Sequence, residues 1–260
     1  EAGLYEAADL QWWWREDNAP IADRQTFWCD INGVPLACFL RFDAGPTWEN
    51  DFFYLPSLEV ETRNLLWSQV IDTITGLDKA STLTVRDDDR YFRESLEQAN
   101  FQLDPVALIQ TQLLGDPPKS AFPDGFRLQS RAQNEPLPHH LIPRNGPQVA
   151  QRLKQCSLYN ADLDLVIRDR NDVVAAYGLF WMDPVTRVGL IEPLRTEQSF
   201  QRLGLAQSLV AAGIKRLKQA GADTIRISYK ENNQPAARLY YNLGFRDMVR
   251  KLTYRRSDRA

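Results

Sequence analysis

The chain has 260 residues, a hydrophobic fraction of 43%, 25% charged residues and a net charge of −3. That is enough apolar material for one large core or two modest ones, and too little basic excess to point to nucleic acid. No apolar run reaches the roughly 18–20 residues of a membrane span, and Glu1 opens no signal-peptide pattern, so a cytoplasmic protein is expected, without a membrane or nucleic-acid partner.

In chain order, Trp12, Trp13 and Trp14 place adjacent rings on different faces of a helix, and a contact with another domain is expected there. Phe27–Asp30 and Pro35–Phe42 read as strands joined by an Asn32-Gly33 turn. Phe52–Glu59 reads as a strand, Thr62–Ile74 as a helix, Ser81–Val85 as a strand and Tyr91–Phe101 as a helix. Residues 107–125, with Pro117-Pro118 and Pro123-Asp124-Gly125, read as a linker. Beyond it, strands are expected at Gly125–Gln129, Asp164–Arg168, Val173–Trp181, Arg187–Thr196, Thr224–Tyr229 and Met248–Tyr254. Helices are expected at Gln148–Cys156, from Gln201 to about Lys218, and from Pro235 to Gly244.

The three cysteines, Cys29, Cys38 and Cys156, form no CxxC and fit buried, reduced thiols. The only histidines, His139 and His140, are adjacent, which offers too few convergent ligands for a metal site; no metal is expected.

The segment Gln201-Arg202-Leu203-Gly204-Leu205-Ala206 lies where a strand gives way to a helix. N–H groups at a helix start lack intrahelical partners and carry partial positive charge, so this is a candidate phosphate site. Gly204 removes a side chain where backbone and phosphate would touch, and no lysine-bearing P-loop is present. A glycine that merely allows close helix packing is the other reading. About thirty residues on comes Asn233-Gln234-Pro235-Ala236-Ala237-Arg238-Leu239-Tyr240-Tyr241-Asn242-Leu243-Gly244-Phe245.

Together the two segments resemble motifs A and B of the GCN5-related N-acetyltransferase (GNAT) family, in order, separation and residues. The resemblance covers residues 125–255. The first half repeats the same element order, but Leu58–Asn64 has two acids and no glycine in place of the loop, Leu96 stands where Tyr240 does, and Asn100 where Gly244 does. The layout is similar to tandem members of the family such as mycothiol synthase. The expected fold is thus α/β: two tandem GNAT-like domains, each a mixed, mostly antiparallel sheet flanked by helices. Residues 1–115 form the degenerate domain and residues 116–260 the acetyltransferase domain.

The resemblance implies an N-acetyltransferase that moves an acetyl group from acetyl-coenzyme A, as cosubstrate, to a primary amine of a small molecule by direct attack in a ternary complex. An acyl-coenzyme-A-binding regulatory or interaction protein is the alternative. The amides of Arg202 to Ala206, with Gln201, would hold the pyrophosphate, and Leu194, Arg195 and Thr196 the pantetheine. Pro193 either ends their strand or marks a bulge. Asn233 either binds pantetheine or caps the next helix. Tyr240 is the candidate acid for the departing thiolate, and Glu192 the candidate base, with Asp183 a rival. Tyr177, Phe180 and Trp181 either line the acceptor pocket or fill the core. A monomer or a homodimer fits the chain equally well.

Overall fold

The structure is a computed structural model that describes residues 4–13, 25–117, 122–134 and 137–257. Two compact units emerge, and both are discontinuous in sequence. Unit 1 comprises residues 1–4, 18–108 and 249–260; unit 2 comprises residues 5–17 and 109–248. The expected division into 1–115 and 116–260 follows the chain, whereas the compact units interleave along it.

In unit 1, β1 (Gln25–Cys29), β2 (Pro35–Asp43) and β3 (Trp48–Tyr54) pair antiparallel in succession. Gly33, at φ 80°, takes the left-handed conformation that closes the first hairpin. The strand expected at Phe52–Glu59 begins four residues earlier and stops at Tyr54. Helix α2 (Val60–Thr75) crosses to β4 (Ser81–Arg86), which runs parallel to β3. Then come α3 (Arg90–Gln98), capped by the Asp89 side chain on Phe92 N at 3.2 Å, and the short β5 (Gln102–Leu103). The thiols are free, and Cys29 is exposed rather than buried, at the turn end of the hairpin. Cys38 is partly buried beside Asp51, and desolvation followed by that charge pushes its thiol up to about 11.

Unit 2 begins with α1 (Ala7–Trp13) and resumes at β6 (Leu108–Leu113), whose residues from Ile109 onward belong to it. The expected linker at 107–125 therefore starts as a strand. Its sequence hid this because Gln110 and Thr111 are buried, so no apolar alternation appears. Their burial is compensated in part: Thr111 Oγ1 donates to Ile227 O at 2.8 Å.

There follow β7 (Phe126–Ser130), two short helices, α4 (Ile142–Asn145) and α5 (Val149–Leu153), then β8 (Asp164–Asp169), β9 (Val174–Asp183) and β10 (Val188–Thr196). Helix α6 (Leu205–Gln219), β11 (Thr224–Lys230), α7 (Gln234–Asn242) and β12 (Phe245–Arg256) complete the chain. The sheet of unit 2 runs from the start of β12 through β6, β11, β10, β9 and β8 to β7; β10–β11 is parallel, and β7–β8, β8–β9 and β9–β10 are antiparallel. The rest of β12 pairs with β4 and β5 in unit 1.

The pleat sorts β9 onto two faces. Tyr177, Leu179 and Trp181 join Leu190, Val166, Leu141, Val149, Leu153, Ala8 and Trp12 in one buried cluster. Trp12, expected at an interdomain contact, is thus a core residue of unit 2 itself, its ring edge-on to Trp181 at 6.5 Å. Trp14 lies outside the described residues. On the opposite face, Phe180 packs against α6 where Gly213 leaves room, and any Cβ at Gly213 would overlap the ring. Gly213→Ala gains helix propensity of about 1 kcal/mol. The overlap outweighs it, so a net loss of roughly 1–3 kcal/mol is expected from urea unfolding midpoints.

Candidate functional site

The site grows from a register break in β10. Ile191 pairs with Phe180 and Leu194 with Gly178, so Glu192 and Pro193 together face the single residue Leu179. This is a bulge, one of the two readings that Pro193 left open. On the other side, β10 and β11 pair only from Val188↔Thr224 to Leu190↔Arg226, although both strands continue. Past that point they part, leaving the Leu194–Thr196 backbone edge unpaired toward β11. Gly178 is needed behind it, since a Cβ there would press on Leu194 and Phe180 at 3.2 Å.

Beyond Thr196, a short 3-10 turn (Gln198–Phe200) leads to the loop. Arg202 (φ 64°) and Gly204 (φ 78°) are both left-handed, and Gly204 is the N-cap of α6. A non-glycine residue in that conformation costs about 1–2 kcal/mol, which marks Arg202 as a held position. The helical ladder starts with Ser208 N to Gly204 O at 3.1 Å, so the N–H groups of Leu205, Ala206 and Gln207 precede it. Residues 201–204 are exposed, while Leu205 is buried and anchors the turn. A Cβ at Gly204 would meet only Pro123, at 3.9 Å. The glycine serves the backbone conformation and not close helix packing.

Helix α7 supplies Tyr240, 6% exposed, with its ring edge-on to Tyr229 at 5.9 Å and tilted to Phe245 at 6.0 Å. Burial raises its phenol well above the usual range, and the charge of Glu192 raises it further. Both causes favour the protonated phenol. Tyr241 points away, exposed, and donates to Asp247 Oδ2 at 2.6 Å. Asn233 caps α7 through Oδ1 on Ala236 N at 3.2 Å. The rival base Asp183 is a turn residue: its oxygens accept from Val185 N at 2.9 Å and Thr186 Oγ1 at 2.7 Å. Cys156 Sγ contacts the carbonyls of Gln11 and Arg152, and burial pushes its thiol up, away from nucleophilic use.

One buried group escaped the sequence. His139 Nε2 and His140 Nε2 lie 2.9 Å from the two oxygens of Asp164, and all three side chains are almost fully buried. Both rings are thus within contact distance of the carboxylate, although neither Nε2 makes an aligned hydrogen bond to it. Tyr159 donates to Asp164 Oδ2 at 2.7 Å. Burial by itself would raise the Asp164 carboxyl, but the two rings outweigh it and hold it well below the usual range. Burial keeps His140 low, toward the neutral form, against the pull of Asp164. The three could converge on a cation. However, Leu141 N donates to His139 Nδ1 at 3.2 Å, which places the ring proton of neutral His139 on Nε2, the atom a metal would need. The histidine pair was visible in the sequence; its partner, 24 residues downstream in a strand, was not.

In unit 1 the corresponding place is built differently. β3 and β4 also part after three pairs, Trp48↔Ser81 to Asn50↔Leu83. There Trp67 of α2 stacks on Phe92 of α3 at 4.0 Å, with Phe52 5.7 Å from Trp67, and Arg63 lies over the rings of Tyr54 and Phe92. Helix α2 starts at Val60, preceded by the N-cap Glu59 (φ −56°, ψ 139°), with Glu61 in the first turn. Asn100, at φ 62°, adopts the left-handed turn that Gly244 makes after α7.

Residues 127–245 match the acetyltransferase (GNAT) family. Solved structures share the fold at low identity. A GCN5-related N-acetyltransferase from Sphaerobacter thermophilus is 13% identical, with TM-score 0.66, over 91% of this chain and 81% of that one. A tandem GNAT protein from the clavulanic acid biosynthesis pathway is 13% identical, with TM-score 0.67, over 95% and 87%. A GNAT-family acetyltransferase from Colwellia psychrerythraea is 11% identical, with TM-score 0.61, over 97% of each chain. No curated protein is similar enough to the chain to count as a relative.

The Asp164 group carries a pH signature. His140 has a depressed folded-state pKa, so its contribution is present above about pH 6.5 and is lost as pH falls below it. Asp164, also depressed, adds a second loss below about pH 4. Asp164→Asn should cost on the order of 3 kcal/mol at pH 7 and flatten the second loss, as read from thermal unfolding across pH.

Proposed function

We propose that this chain, whose residues 127–245 match the GNAT family of acetyltransferases, transfers an acetyl group from acetyl-coenzyme A to a primary amine of a small molecule.

 The observation that carries this reading is the parting of β10 from β11 in the strand that leads to a left-handed glycine turn, with Glu192 in the bulge of that strand. Acetyl transfer is the chemistry of the family; the acceptor class and the residue roles are our reading.

The residues present fit the cosubstrate. The unpaired backbone edge of Leu194, Arg195 and Thr196 would accept the amides of pantetheine as a further strand would. The loop from Gln201 through Arg202, Leu203 and Gly204 to Leu205 and Ala206 would hold the pyrophosphate by its N–H groups at the start of α6. Asn233, with its Oδ1 engaged in the cap, keeps its amide N–H groups for the same ligand. When bound, acetyl-coenzyme A supplies the activated acyl group.

Glu192 takes a proton from the attacking amine, directly or through water, and the freed lone pair forms the new C–N bond to the acyl carbon. Tyr240 gives its proton to the thiolate as the C–S bond breaks, and its raised pKa keeps that proton in place until then. No covalent enzyme intermediate is needed, so the main contribution is positioning. The aromatic packing and the acidic helix start of unit 1 support one acetyl-coenzyme A per chain.

Titration calorimetry should give a stoichiometry of one, and Gly204→Glu should abolish binding while leaving the melting temperature within a few degrees. Retained binding in that variant would remove the loop from the reading. Tyr240→Phe should lower kcat about a hundredfold with little change in the KM for acetyl-coenzyme A. Unchanged turnover at every pH would exclude Tyr240 as the acid. Binding without acyl transfer to any member of a broad amine panel would favour a regulatory protein.

A further inference from the structure

The bulge takes Glu192 out of the β9–β10 ladder, and its carbonyl oxygen accepts the indole N–H of Trp181 at 2.6 Å. Trp181 pairs with Leu190 two residues earlier, so its side chain reaches forward along the strand to the break. The indole is 1% exposed, and water does not compete for this bond. Its ring is also held from two directions. Trp12 of α1 meets it edge-on at 6.5 Å and Tyr159 at 6.3 Å. Tyr159 is fixed in turn by its hydrogen bond to Asp164. The tryptophan at position 12 and the buried histidine–aspartate group therefore converge on one ring.

We propose that Trp181 is a positioning residue: its indole N–H holds the Glu192 carbonyl, and so fixes the bulge that aims Glu192 at the reacting amine. The inference rests on the acetyl-transfer reading and goes beyond it, because Trp181, buried in the core, would act through the backbone of Glu192. Fixing the carbonyl restricts the backbone rotation beside Glu192 Cα, which sets the direction of its side chain. An aromatic ring of similar shape without the N–H would fill the core and remove this restraint on that rotation.

The test compares the wild-type chain with Trp181→Phe and Glu192→Gln. Three quantities are read: the melting temperature, the KM for acetyl-coenzyme A, and the pH profile of kcat/KM for the best amine of a panel. Trp181→Phe should remain folded, keep the KM for acetyl-coenzyme A within threefold, lower kcat at least tenfold and displace the acidic limb of the profile. A purely structural role predicts a lower melting temperature with kcat and the limb unmoved well below it, and that result would overturn the proposal. Glu192→Gln separates the two levels of the argument. Loss of the limb there, with an unmoved limb in Trp181→Phe, sinks the positioning role alone; a limb intact in Glu192→Gln removes Glu192 as the base and the proposal with it. Should Trp181→Phe fail to fold, benzothienylalanine at position 181 replaces the N–H by sulfur at nearly constant shape, and the same loss of kcat and displaced limb are expected.

Discussion

A sheet cannot keep every ladder bond and still admit a ligand between its strands. In unit 2 the ladder gives way at Glu192 and Pro193, where two residues of β10 face one of β9; under the proposed reading this is where the ligand enters. Proline donates no hydrogen bond, so it sits where the ladder is already interrupted. The break lets β10 leave β11 after three pairs while it stays paired with β9 through Thr196. The unpaired backbone edge of Leu194–Thr196 and the path of the chain into the α6 turn follow from this one irregularity.

Both faces of the sheet are shaped to support it. On one, Gly178 and Gly213 leave room for Leu194 and Phe180, so that α6 and its left-handed start lie close to the strand. On the other, Trp181 replaces a missing ladder partner with its own N–H and is backed by Trp12 and Tyr159. Close packing transmits position because neighbouring side chains have no slack to absorb a shift.

Unit 1 shows how the same framework behaves without these features. Its β2–β3 ladder runs without a register break, α2 follows a glutamate N-cap, and aromatic rings gather beside the point where β3 and β4 part. Apolar burial there stabilises the unit itself. Under the proposed reading, one copy of the framework keeps a ligand slot and the other has become scaffold.

Much of this was legible in the residues. The Gln201–Ala206 turn, the Asn233 cap, the hairpin at Gly33 and the amphipathic course of α6 follow from local rules of φ, capping and periodicity, which need only neighbours in sequence. Those same rules misread β6 as a linker, since Gln110 and Thr111 are polar in composition yet buried by strands distant in sequence. They could not pair Asp164 with two histidines, place Trp12 on Trp181, or give β12 to two units, because each depends on which surfaces meet after the chain has folded. The sequence by itself determined the loop, the motif tyrosine and the repeat of element order. Only the tertiary structure decided that Pro193 marks a bulge and that the Trp181 indole holds the Glu192 carbonyl there, because both depend on how β10 meets β9.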